Sequence, residues 1–263
     1  MIERIRKINL SKMTIRVLYT FGLLLIGALW ILSIQRKSDG KVRDHIVHIK
    51  PIKGDRNLIE AEEVNIIYKK FLGFSVLDAN IKDLDTRELE ERLKADKRIK
   101  KVEVFVDAHN NLNTWIIQRQ PIVRIIDSRD FSYYLDEEGK DIPAQRGLAV
   151  RVPIATGYID IYREELITDE KKSALQNVFT CANAIMKDEF LSQFIEQIHV
   201  NAERDIELIP KIGKQYITLG DAQNLDKKFK DIKSIYKNGM PTVNWSKYKE
   251  ISVKYEGVAF GVM

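Results

Sequence analysis

The sequence predicts an α+β protein with three parts in order: an N-terminal transmembrane helix, a small β-α-α-β-β domain, and a larger, mainly antiparallel β domain with two flanking helices. Three observations predict it. Val17 to Ile34 is an 18-residue run without a charge. Residues 45–121 pass from a β-prone stretch through two helical stripes to an alternating hairpin, and from residue 122 period-two patterning dominates, broken by two further helical stripes. The divisions read from the sequence are a tail 1–16, the apolar helix 17–34, a spacer 35–44, and domains at 45–121 and 122–263.

As a helix, the run VLYTFGLLLIGALWILSI spans ~27 Å, close to the thickness of a hydrocarbon core. Tyr19 and Trp30 suit the two interfaces, and Arg16 and Arg36 bracket the run as snorkelling charges. No small-x-small exit follows Trp30, so an uncleaved anchor is expected rather than a signal peptide. Basic residues flank both ends, so domain size sets the expected orientation: the short tail in the cytoplasm, the bulk of the chain outside the cytoplasmic membrane, in the periplasm.

The spacer, rich in Lys, Arg, Asp and Ser, reads as mobile. His45 to Lys50 is a first strand closed by Pro51. Asp55 or Asn57 is placed to cap a helix whose stripe is Val64, Ile67, Tyr68 and Phe71, with Gly73 ending it. A short second helix starts at Asp85, with Glu88 three residues on and Leu89 and Leu93 pointing inward. Val102, Val104 and Val106 then alternate, His109-Asn110-Asn111 turns, and Leu112, Thr114 and Ile116 return as the second arm of a hairpin. Gln118-Arg119-Gln120-Pro121 closes the unit, since proline does not continue a central ladder.

Beyond Pro121, strands are expected at Ile122–Ile126 and Phe131–Leu135, with a turn at Asp136-Glu137-Glu138-Gly139. A segment at Val152–Gly157 reads as β-edge and turn, and a helix from about Asp169 to Lys187 carries Leu175, Val178, Phe179, Ala182, Ile185 and Met186 on one side. Strands follow at Phe194–Val200, Ile206–Ile209 and Gln215–Leu219. A last helix holds Leu225, Phe229, Ile232 and Tyr236, with Gly239 as its cap and Pro241 beyond; Tyr248 to Phe260 reads as one closing strand.

The chemistry is sparse. The net charge is +5, but residues 1–34 hold five Lys/Arg against Glu3 alone, so the remainder is nearly balanced and lacks the basic stripe that nucleic acid requires. No phosphate loop, dinucleotide fingerprint, HExxH or GxSxG occurs. His45 and His48 fall on opposite faces of a strand, and His109 and His199 lie far from each other in sequence, so no metal site is expected. The single cysteine, Cys181, borders an apolar helix face and reads as a small hydrophobe, and Glu137-Glu138 reads as a solvated turn. Neither a cofactor nor a catalytic residue is expected.

Local motifs carry a resemblance. Ile99-Lys100-Lys101-Val102-Glu103-Val104, Arg119-Gln120-Pro121-Ile122-Val123, Tyr134 to Ile142 with its Asp-x-x-Gly turn, Val152-Pro153-Ile154-Ala155-Thr156-Gly157, and Leu219-Gly220-Asp221 leading through a helix to Ile251-Ser252-Val253-Lys254-Tyr255 appear in the order found in the bacterial division family FtsQ/DivIB. The chain resembles that family from Met1 to Phe260. It departs where Ser252 and Lys254 replace the family's Asp and Arg, and where Asp96 to Ile99 replace its Pro-Trp-Val.

The resemblance implies that residues 45–121 are a POTRA domain and that the protein is a non-catalytic scaffold of the divisome. It implies a single-pass protein of the cytoplasmic membrane, held by residues 17–34 and placed at the septum. Its implied partners are FtsB-like and FtsL-like proteins, the former docking by β-strand addition, and through them the septal peptidoglycan synthases. The transferred partner-binding positions are Tyr255, Gly257, Val258 and Phe260. From the residues themselves, a closing strand with Val253, Tyr255 and Phe260 leaves backbone groups open to another chain, or uses those side chains for its own core. Arg204, before the Ile206 strand, is positioned to meet an acidic partner or to remain a solvated turn residue. The alternative reading is a POTRA-bearing component of protein export or outer-membrane assembly, although too little chain remains for its usual barrel.

Overall fold

The computed structural model describes residues 12–38, 40–54, 56–145, 147–168, 173–239, 248–255 and 258–262. The chain forms two compact units, one from residues 1–48, 61–93 and 102–116, the other from 49–60, 94–101 and 117–263.

In the first unit, helix α1 (Lys12–Ser38) carries the apolar run. The expected transmembrane helix is corrected here: among the described residues, no helix is long and apolar enough to cross a membrane. Residues 1–11 of the expected tail lie outside the described residues.

Residues 40–44 are not a free spacer. Val42 is buried and its N–H reaches the Ala79 carbonyl at 3.1 Å, Arg43 donates to the Asn110 carbonyl at 2.9 Å, and Ile81 donates back to Gly40 at 2.9 Å.

Strand β1 (His45–Lys50), helices α2 (Ala61–Leu72) and α3 (Thr86–Lys94), and strands β2 (Ile99–Val106) and β3 (Leu112–Gln118) follow in order, and the three strands form a sheet of order β1-β3-β2. The stripe on α2 buries Val64 and Tyr68, and Gly73 ends that helix at a φ of 82°. On α3, Asp85 caps the first turn by accepting from Arg87 N–H and Glu88 N–H, while Leu89 and Leu93 are fully buried. The β2–β3 turn closes on Asp107, whose carboxylate accepts backbone N–H groups of Asn111 and His109; these bonds hold its pKa down to about 2.

The second unit is built on a nine-stranded mixed sheet. Its strands are β4 (Pro121–Ile126), β5 (Ser132–Asp136), β6 (Asp141–Pro143), β7 (Ile154–Gly157), β8 (Ile195–Val200), β9 (Ile206–Pro210), β10 (Tyr216–Gly220), β11 (Glu250–Tyr255) and β12 (Val258–Val262), in the order β12-β11-β10-β9-β8-β7-β4-β5-β6. The sheet is mainly antiparallel, as expected, in five of its eight strand pairs, but it is mixed: β4 and β7, β7 and β8, and β10 and β11 pair in parallel. Two of these pairs are forced by helical crossovers. Between β7 and β8 the chain passes through α4 (Glu165–Thr168), α5 (Ala174–Lys187) and α6 (Glu189–Phe194), and between β10 and β11 through α7 (Leu225–Ser234), which continues as a π-helical turn, Ile235–Gly239.

The first part of the helix expected from Asp169 falls on residues 169–172, outside the described residues, as do Asp55 and Pro241. Helix α5 begins instead after Ser173, whose hydroxyl accepts from Gln176 N–H at 3.0 Å. Phe194 ends α6 rather than opening a strand.

The core lies between the helices and the sheet. Leu175, Val178, Ala182 and Ile185 of α5, with Phe229 and Ile232 of α7, pack in one buried cluster with Val123, Ile125, Ile198, Leu208, Ile217 and Ile251. A second, smaller cluster joins Tyr134 and Ile142 to Ile52 and Leu58. The segment carrying Ile52 and Leu58 is pinned by Gln118: its carbonyl accepts from Leu58 and Ile59 N–H at 2.5 and 3.1 Å, and its amide donates to the Lys50 carbonyl at 2.9 Å.

Candidate partner-binding edge

The closing strand expected at Tyr248–Phe260 is a hairpin. β11 and β12 pair antiparallel, with Glu250 opposite Val262, Ile251 opposite Gly261, Ser252 opposite Phe260 and Tyr255 opposite Val258; the register shifts between Ser252 and Tyr255. β12 ends the strand order, so among the described residues its outer backbone edge has no neighbouring strand. A close approach sets the hairpin: a Cβ on Gly261 would lie 2.5 Å from the Tyr248 ring, so only glycine lets that ring lie against β12.

The candidate residues divide between core and edge. Val253 is 1% exposed and belongs to the core, whereas Tyr255 is 61% exposed at the end of β11. Val258 and Phe260 lie on β12 at the registers given, and Gly257 lies outside the described residues. Arg204 occupies the β8–β9 turn in the left-handed region, at a φ of 65°, and its guanidinium stands 3.4 Å from Asp160.

That turn comes to the same end of the sheet as Tyr255. Asp205, the next residue, accepts from Lys254 Nζ at 2.5 Å, and this bond raises the Lys254 pKa. The Lys254 stem runs over Gly220, where a Cβ would meet it at 2.8 Å. Lys254, which precedes Tyr255, therefore ties β11 to the β8–β9 turn. Beside it a cavity of about 200 Å³ is lined by Asp221, Asn224, Lys227, Lys228 and Lys254. Lys228 is buried and donates to the carbonyl and carboxylate of Asp221 at 2.9 and 3.0 Å. The sequence reading missed the Lys254–Asp205 link; a lysine in the family's arginine position was its only signal.

Elsewhere the polar side chains serve the fold. Complete burial pushes the Cys181 thiol up to about 12, which leaves it protonated at neutral pH. His45 is bonded through both ring nitrogens, to Asn65 and Thr114, and His48 stacks on Trp115. Among the described residues no group of three or more His, Cys, Asp or Glu side chains is arranged to hold a metal ion.

The expected Asp-x-x-Gly turn is a structured hub. Asp136 is buried, accepts from Glu138 and Lys140 N–H, and pairs with Arg119 at 2.7 Å. Glu137 and Glu138 are exposed, as expected of a solvated turn, and they also pair with Lys100 at 2.7 and 2.9 Å.

Fold and edge together define an α+β protein whose large mixed sheet ends in an open strand next to an exposed tyrosine. Residues 120–258, more than half of the chain and all of the large sheet from β4 to the start of β12, match the family described as FtsQ/DivIB, C-terminal related, and the chain belongs to that family. The family consists of non-catalytic, septum-associated division proteins that interact with other division proteins, and membership gives this chain a role in cell division. No curated protein matches the chain.

Proposed function

We propose that the protein is a non-catalytic divisome scaffold that takes a partner strand on the outer edge of β12, tethers FtsB-like and FtsL-like proteins at the septum, and through them helps recruit and regulate septal peptidoglycan synthesis. Residues 122–263 act as the partner-binding β domain and residues 45–121 as a POTRA domain. The observation that carries this reading is the open edge of β12 beside exposed Tyr255. An unpaired edge supplies main-chain donors and acceptors for affinity, and a neighbouring aromatic adds a packing surface for selectivity. Arg204 contributes positive charge at the same end of the sheet without being buried.

The test is co-purification from the native cell of full-length wild type and of a Tyr255→Ala, Phe260→Lys double variant whose fold is checked by circular dichroism. Wild type is expected to recover small coiled-coil division proteins, and the folded variant to lose them by about tenfold or more. Equal recovery by both forms would remove β12 as the docking strand.

A further inference from the structure

A groove of about 760 Å³ lies between α5 and α7, on the helical face of the large sheet and apart from the β12 edge. Phe179 and Ala184 on α5 and Phe229 on α7 supply the apolar part of its lining, and Thr180 and Asn183 stand beside them on α5. Its charges are ordered. Lys187 ends α5 and stands next to Asp188, which pairs with Lys233 of the last turn of α7 at 2.5 Å; these groups mark one end of the groove. Asp226, in the first turn of α7, marks the other. The Asp188–Lys233 pair joins the C-terminal ends of α5 and α7, so the two helices run in the same direction. Lys187 and Asp226 are exposed, and among the described residues neither has an ion-pair partner.

We propose that this groove receives an amphipathic helix from a partner protein, lying antiparallel to α5 and α7 with its first turn at Lys187 and its last turn at Asp226. The apolar lining calls for a stripe of large side chains on one face. From Phe179 to Lys187 the lined length of α5 is ~12 Å, which two to three turns of helix cover. Charge decides both occupant and direction. A helix is stabilised by acidic residues in its first turn and basic residues in its last, and that order meets Lys187 and Asp226 with opposite signs only in the antiparallel sense.

The probe is a synthetic helix of about fourteen residues, roughly four turns, with a leucine stripe, glutamates in its first turn and lysines in its last. A second peptide of the same composition has the two charge blocks exchanged. Binding of both to the full-length protein is followed by fluorescence anisotropy. The first peptide is expected to bind about tenfold more tightly than the second, and a Lys187→Glu, Asp226→Lys variant to reverse that preference. Thr180→Trp, an exposed position on the groove wall, is expected to abolish binding while leaving the circular dichroism spectrum intact. Equal affinity for the two peptides, no binding of either, or binding indifferent to Thr180→Trp would overturn the proposal. So would self-association in sedimentation that Thr180→Trp dissolves, because a second copy would then be the occupant. None of these readings involves β12, so the groove and the edge stand or fall separately.

Discussion

The two edges of the large sheet are treated in opposite ways. At one end β6 is three residues long and finishes at Pro143, which has no N–H to offer a further strand. Its Asp141 carboxylate accepts from Lys97 at 2.7 Å, and Ile142 is fully buried beneath Ile52, Leu58 and Leu148. At the other end β12 has five residues and no proline. One edge is thus shortened, charged and covered, and the other is left able to pair. Means of blunting an edge are applied at one end of the sheet only, and the open end is the one to which the proposed docking is assigned.

The largest expected effect comes from undoing the closed end. Asp136→Ala removes a buried carboxylate that holds the turn into β6 and leaves Arg119 without its closest partner; urea unfolding should report a loss of about 3–5 kcal/mol. A loss below about 1 kcal/mol would show that the turn does not secure that edge.

Next is Ile142→Ala, expected to cost about 2–4 kcal/mol and to speed amide exchange in β5 and β6 while leaving β11 unchanged. Uniform acceleration across the sheet would mean that the two edges are not energetically separate.

A smaller change of opposite sign is expected at Tyr133, opposite Pro143 in the β5–β6 pairing, whose buried hydroxyl has no hydrogen-bond partner among the described residues. Tyr133→Phe removes that unsatisfied group and should raise stability by about 1 kcal/mol. Destabilisation would show that the hydroxyl has a partner.

Smallest of all is Arg204→Ala, near the open end. An ion pair with a 60% exposed guanidinium contributes less than about 0.5 kcal/mol, so the melting temperature should stay fixed while partner affinity falls.

The sequence made the helices easy to read. Val64 and Tyr68, Leu89 and Leu93, and Leu175, Val178, Ala182 and Ile185 recur at helical spacing, and each set is buried. Asn110 likewise marked its turn, because a short polar residue tolerates the left-handed region, whereas Asp107, whose carboxylate closes the turn, was not singled out. Strand direction is not local. Alternation in Ile217 and Leu219, or in Ile251 and Val253, is the same whichever way the neighbour runs, so the parallel pairs went unread. The helix between β10 and β11 was the available clue, since such a crossover returns the chain in parallel.

The closing hairpin was hidden for a related reason. Apolar residues up to Tyr255 resume at Val258, and only Glu256 and Gly257 separate two strands that read as one. The buried hubs Gln118 and Asp136 were taken for ordinary exit and turn residues, because their partners come from 60 residues earlier in one case and 17 in the other. Of the residues expected at the edge, Tyr255 is exposed, but Val253 is core and the outermost described strand is β12.

The parallel pairing of β10 with β11 has a kinetic consequence. β12 has only β11 as a neighbour, and β11 reaches β10 only once α7 has crossed the sheet. Closing that crossover is a non-local step, slower than forming a hairpin. A chain still waiting for it has no finished outer strand to present, so if β12 docks a partner as proposed, only chains folded as far as the crossover would bind.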